Sequence, residues 1–200
     1  MKILKIILAF SLFFLMSSGL TAQDMMAKSW ELDQNHTSVN FGVKHFFNTV
    51  NGIFQKKEGT FHFDPKDLPN SKFTFKIPVA SIDTNIEKRD KHLTSSDFFD
   101  AETYPYITFT STKINHLSGN DYQVVGDLTI KDVTKSVSIP FKITGEMENP
   151  MMKGTNIMGL AFETKLNRTD FGVGTGNWAM TMVVGDEVNV EINMELNRKM

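Results

Sequence analysis

The side chains able to do chemistry in this 200-residue chain are few and scattered. Five histidines, His36, His45, His62, His92 and His116, stand at no spacing that would pair two of them as metal ligands on one helix face. Cysteine is absent, which removes thiol nucleophiles, thiolate metal sites, disulfides and a lipid-bearing cysteine. No HExxH, Walker-type phosphate loop, nucleophile elbow or EF-hand loop is present. Gly172-Val173-Gly174-Thr175-Gly176 has the glycine density of a dinucleotide loop, but a helical pattern does not follow it, so it reads as a bend. No catalytic residue, metal site or cofactor is therefore predicted.

Two charged units remain. Arg89-Asp90-Lys91-His92-Leu93 runs toward the aromatic pair Phe98-Phe99, and Arg168-Thr169-Asp170 precedes Phe171-Gly172. Most charges of the first unit fit a solvated helix face; Arg89 and Asp90 are the exceptions, because charges carried on a closing lid need partners. Arg168 and Asp170 read as a structural salt bridge. Met147, Met151, Met152 and Met158 fit adaptable packing or a mobile apolar rim better than a soft-metal site. The sequons at Asn35 and Asn167 read as chance matches.

Strands must position these groups. Val39, Phe41, Val43 and His45 alternate with polar or small residues, which turns His45 inward with its apolar neighbours. Asn51-Gly52 predicts a hairpin turn, and a second strand runs over 53–63. Phe73, Phe75, Ile77 and Val79 form a third, with Pro78 marking an edge or bulge. Further strands follow over 107–114, 122–131, 136–146 and 155–166. In one more strand, over 187–195, Val188, Val190, Ile192 and Met194 alternate strictly with Glu187, Asn189, Glu191, Asn193 and Glu195. The alternation breaks only over 81–109, a charge-dense helical crossover that predicts a lid. About eight strands and one crossover fit a closed antiparallel barrel or a sandwich, all-β and single-domain.

The first residues stand apart. Lys2 and Lys5 precede an apolar run over 6–16, and small residues lead to Ala22 before Gln23. That is an export signal over 1–22, too short in its apolar part to span a bilayer, followed by a domain over 23–200. Loss of Lys2 and Lys5, with no acid in the same stretch, takes the net charge from −2 to −4. A mildly acidic chain with interspersed charges carries no electrostatic footprint for nucleic acid.

Several segments taken in order resemble the YceI-like family of exported, lipocalin-fold proteins. They are Asp33-Gln34-Asn35-His36-Thr37-Ser38-Val39-Asn40-Phe41, Ser81-Ile82-Asp83-Thr84 with 89–93, and Asp97-Phe98-Phe99-Asp100 leading to Tyr104-Pro105. Gly126-Asp127-Leu128-Thr129-Ile130, Arg168-Thr169-Asp170-Phe171-Gly172 and Val184-Gly185-Asp186-Glu187-Val188 complete the set. Where the family usually places Gly after Leu-Thr-Ile, this chain has Lys131-Asp132, a departure that touches a turn. The resemblance implies an eight-stranded antiparallel barrel, periplasmic or secreted, whose lumen takes a polyisoprenoid, an isoprenoid quinone or a fatty amide. Phe41, Val43, Phe75, Phe109 and Phe141 then line the lumen, and position and parity, not the resemblance, make His45, Arg89 and Asp90 the candidate contacts for a polar head. At about 0.8 kcal/mol per methylene, ten buried groups contribute about 8 kcal/mol before association costs.

Three other readings stay open. An enzyme acting on such a lipid would use His45 or His92 with Asp90 as acid and base. A quinone-presenting accessory protein would dock a membrane redox partner through the 147–158 hairpin. A barrel filled by its own side chains would bind nothing. Transient membrane contact and a homodimer are both compatible with such a barrel, and no residue decides either.

Overall fold

The computed structural model describes residues 27–200, so the predicted export signal over 1–22 lies outside the described residues. Eleven strand segments form one sheet: β1 (Ser29–Leu32), β2 (Ser38–His45), β3 (Asn48–Phe54), β4 (Glu58–His62), β5 (Lys72–Pro78), β6 (Ile82–Asp83), β7 (Tyr106–Ser118), β8 (Asp121–Ile130), β9 (Val133–Glu148), β10 (Thr155–Asn167) and β11 (Val184–Lys199). Helix α1 (Glu87–Leu93) is the crossover expected from the break in alternation. Neighbouring pairs run antiparallel from β1 through β4, β5, β7, β8, β9 and β10 to β11, which returns to β1 and closes the ring. β2 continues the path of β1 along β11, β3 pairs with β2, and β6 with β3. The result is an eight-stranded antiparallel barrel, and its closure leaves few open sheet edges.

Alternation explains the wall. Along β11, Val188, Val190, Ile192 and Met194 face the interior, while Glu187, Asn189, Glu191 and Asn193 are exposed. On β8, Tyr122, Val124, Leu128 and Ile130 are buried in the same period-two pattern. Both strand prolines sit where a neighbour has ended. Pro78 pairs only with Tyr106, and Pro140 follows the end of the β9–β10 ladder at Phe141↔Phe162, so neither missing N–H removes a second ladder bond.

The first hairpin differs from expectation. His45 pairs with Asn48, so the chain reverses at Phe46-Phe47, and Asn51-Gly52 lies inside β3. Gly52 serves packing: a Cβ there would lie 2.4 Å from the Phe41 ring. The strand expected over 53–63 is likewise interrupted at 55–57 between β3 and β4. The Lys131-Asp132 departure proves to be a two-residue turn with Lys131 in the left-handed region at φ +56°. Its ammonium donates to the Gly172 carbonyl at 3.0 Å, a tie that glycine would not make.

The interior divides into two halves. At one end Trp30, Phe61, Phe63, Phe73, Tyr122 and Phe141 fill the barrel with tilted, edge-on and stacked ring pairs. At the other, the segments over 84–105 and 168–183 form a cap over the mouth, with Phe98, Phe171 and Val173 packed against Leu128 and Ile130. On the outer wall His36 bonds Asp33 at 3.1 Å and lies 3.8 Å from Glu195, clasping the β1–β2 break to β11.

Candidate ligand-binding cavity

Between the filled end and the cap lies a cavity of about 210 Å³ whose accessible surface is entirely apolar. It exceeds the ~150 Å³ of an engineered apolar cavity that stays dry and takes up benzene. Phe41 and Val43 reach it from β2, Phe75 from β5, Phe109 from β7, and Leu166 and Val188 from β10 and β11. Phe98 and Phe99 close it from above, in the loop that follows α1. Phe54 lies edge-on to Phe99, with ring centres 6.2 Å apart, and so joins wall to cap.

Four of the eight residues expected at the ligand are on this wall: Phe41, Val43, Phe75 and Phe109. Phe141 is inward but belongs to the filled end, stacked on Phe162 at 5.1 Å and Tyr122 at 5.4 Å. His45 shares the parity of Val43 but stands two residues farther out, exposed beside the hairpin tip with its ring edge-on to Phe46. Arg89 and Asp90 are occupied by one residue. Arg89 donates to Thr84 Oγ1 at 2.7 Å and to the Thr84 carbonyl at 2.6 Å, and Asp90 accepts from the Thr84 amide at 2.9 Å and from its hydroxyl. Together they fasten the start of α1 to the strand end beneath it.

Sequence reasoning misassigned Arg168. Asp170 pairs with Lys135 at 3.0 Å, on the outside, while the Arg168 guanidinium turns inward and is 6 % exposed. It donates to the carbonyls of Val173, Trp178, Val184 and Gly185, all at 2.8–2.9 Å. Burial lowers its pKa from the ordinary arginine value, against the opposing field of Asp186. Gly174, at φ +86°, permits this wrap, since a Cβ there would meet Arg168 Nη1 at 2.2 Å. A glycine-dense run next to an arginine was the available signal: a loop with little side-chain bulk can turn its carbonyls onto one guanidinium. Arg168 thereby brackets the 168–183 segment of the cap to the barrel, and that segment meets α1 where His92, which bonds Asp97 at 2.9 Å, lies edge-on to Trp178.

Among the described residues, one group brings three metal-ligating side chains together. Asp33, His36 and Glu195 lie within 4.8 Å of one another, on the outer wall and already paired as the clasp. None of them faces the cavity.

An eight-stranded antiparallel barrel, packed at one end and hollow and apolar at the other, defines a lipocalin-like barrel with room for one small ligand. The chain belongs to the YceI-like domain family, whose model matches residues 30–196. It is 36% identical to Protein YceI of Escherichia coli O17:K52:H18 over 158 residues, 78% of this chain and 81% of that one. The crystal structure of Burkholderia cenocepacia BcnA superposes with TM-score 0.74 at 30% identity, covering 82% of this chain and 99% of that one. A polyisoprenoid binding domain from Saccharophagus degradans shares the fold at 14% identity, with TM-score 0.66 over 86% of this chain and 99% of that one.

Proposed function

We propose that this protein is exported and carries a long-chain apolar ligand in the barrel cavity, without transforming it. The observation that carries the reading is the cavity itself: apolar over its accessible surface and placed under a cap that is separate from the packed core. The polyisoprenoid-binding domain of the same fold supports an isoprenoid as the ligand class, with a quinone or fatty amide as chemical relatives. The tail is assigned to Phe41, Val43, Phe75 and Phe109, and a polar head stays outside, at the rim where His45 is exposed. Catalysis is disfavoured because the wall presents no acid–base pair: Asp90 serves Thr84, and His92 serves Asp97 on the outer side of the cap. Export rests on Lys2, Lys5 and the apolar run over 6–16.

Displacement of a fluorescent fatty probe by alcohols and amides of increasing chain length tests this. Each added methylene buried at about 0.8 kcal/mol tightens binding about fourfold until the cavity is full. Affinity that does not depend on chain length would refute an apolar tail site.

A further inference from the structure

Four large apolar side chains project into solvent at the cavity end of the barrel. Phe46 is 57% exposed, Phe47 98%, Met180 56% and Met182 87%. They come from two loops joined by a backbone bond, the Phe46 amide donating to the Val183 carbonyl at 3.0 Å. Neither phenylalanine serves the core, and Phe46 does not suit its turn: its φ of +50° belongs to a region that favours glycine. A chain shaped only by folding would place a small or polar residue there.

The position of the tip matters. Val43 and Val184, which line the cavity, stand three and two residues from Phe46 and Met182 along the chain. The second exposed methionine group, Met147, Met151 and Met152, lies on the β9–β10 hairpin at the filled end, far from this wall. Segments 45–55 and 178–185 contain no Asp, Glu, Lys or Arg, and the charges that flank them, Lys44 and Asp186, are of opposite sign, so the tip carries no net charge of its own. Four side chains are far fewer than the 20–30 residues a side of a stable protein interface. They suit an apolar phase that adapts to them.

We infer that Phe46, Phe47, Met180 and Met182 form one apolar tip that dips into a lipid bilayer, where cargo enters and leaves the cavity without crossing water. The inference rests on the carrier reading above. Taking a long chain through water exposes every methylene of it, and direct contact with the bilayer removes that barrier. The attachment is weak and reversible, of the order of a single acyl chain's ~10⁴ M⁻¹.

Protein lacking residues 1–22 is the material for the test, since the barrel is built wholly from residues 27–200. Phosphatidylcholine vesicles carrying bromine on their acyl chains quench tryptophan that approaches them. Trp178 lies in the tip segment, and Trp30 is buried at the filled end with its indole N–H on the Phe63 carbonyl. Saturable quenching is expected, unchanged when salt rises from ~0.1 to ~0.5 M. Phe47→Ser with Met182→Ser lowers vesicle affinity at least about tenfold and slows delivery of a fluorescent lipid from protein to vesicles. The same variant keeps wild-type affinity for that lipid in solution. Phe46→Gly weakens vesicle binding while its Tm holds or rises, which removes misfolding as the explanation. Absence of quenching, or equal delivery by the double variant, overturns the tip and leaves the carrier reading intact. Vesicle binding without any solution affinity for lipid supports the tip and overturns the carrier reading.

Discussion

Replacing Arg168 by methionine would leave the carbonyls of Val173, Trp178, Val184 and Gly185 without their donors while keeping most of the side-chain volume. Stranding buried acceptors costs about 1–3 kcal/mol each unless the loop opens to water. The expected outcome is a loss of about 2–4 kcal/mol, with faster amide exchange confined to 173–185. Lysine does not rescue it, because one ammonium cannot span four carbonyls held by a planar fork. Global destabilisation with unchanged exchange in that segment would contradict the bracket. On the cavity wall, Val188→Phe fills space rather than creating it, so Tm is maintained while lipid affinity falls at least about tenfold.

The outer clasp makes a pH prediction with a definite sign. The hydrogen bond that His36 donates to the Asp33 carboxylate raises the His36 pKa above its ordinary 6.5, and the same bond holds Asp33 below its ordinary 3.8. The His36 contribution is complete below its unfolded value and is lost as pH rises through the higher folded one. The Asp33 contribution is present above its unfolded value and is lost as pH falls through the lower folded one. The clasp is therefore strongest between about pH 4 and 6.5, and its effect is small because His36 is mostly exposed. Between about pH 6 and 8, Tm of the wild type falls relative to His36→Gln; parallel curves would refute this.

At the scale of elements, strand identity was legible and depth was not. Strict alternation placed β11 and its inward face correctly, because one buried face imposes period two. Parity alone cannot say how far along the barrel a residue sits. Phe75 and Phe141 are both inward, yet one faces the cavity and the other the filled end; His45 keeps Val43's parity but lies beyond the wall. Turn chemistry misled at Asn51-Gly52, where close packing against Phe41 requires the glycine. Gly52→Ala is expected to destabilise the barrel by about 1–3 kcal/mol by displacing that ring, measured by chemical denaturation. Arg168 was visible as a charge near a turn, and the glycine run beside it was the one sign that its acceptors would be backbone carbonyls.

For the whole molecule, the division of labour between the two ends is the main feature. The aromatic end supplies stability in a chain with no disulfide, which frees the other end to remain hollow beneath a cap held by Arg168, Lys131 and the Thr84 contacts of α1. Cargo identity is the remaining question, and native mass spectrometry of protein purified without detergent addresses it directly. A bound mass in the range of an isoprenoid, quinone or long-chain amide, released by organic solvent, is the expected result. If the protein flies only as its bare mass and isoprenoids then fail to raise its Tm, the carrier account is contradicted, because a ligand that binds only the folded barrel must raise it.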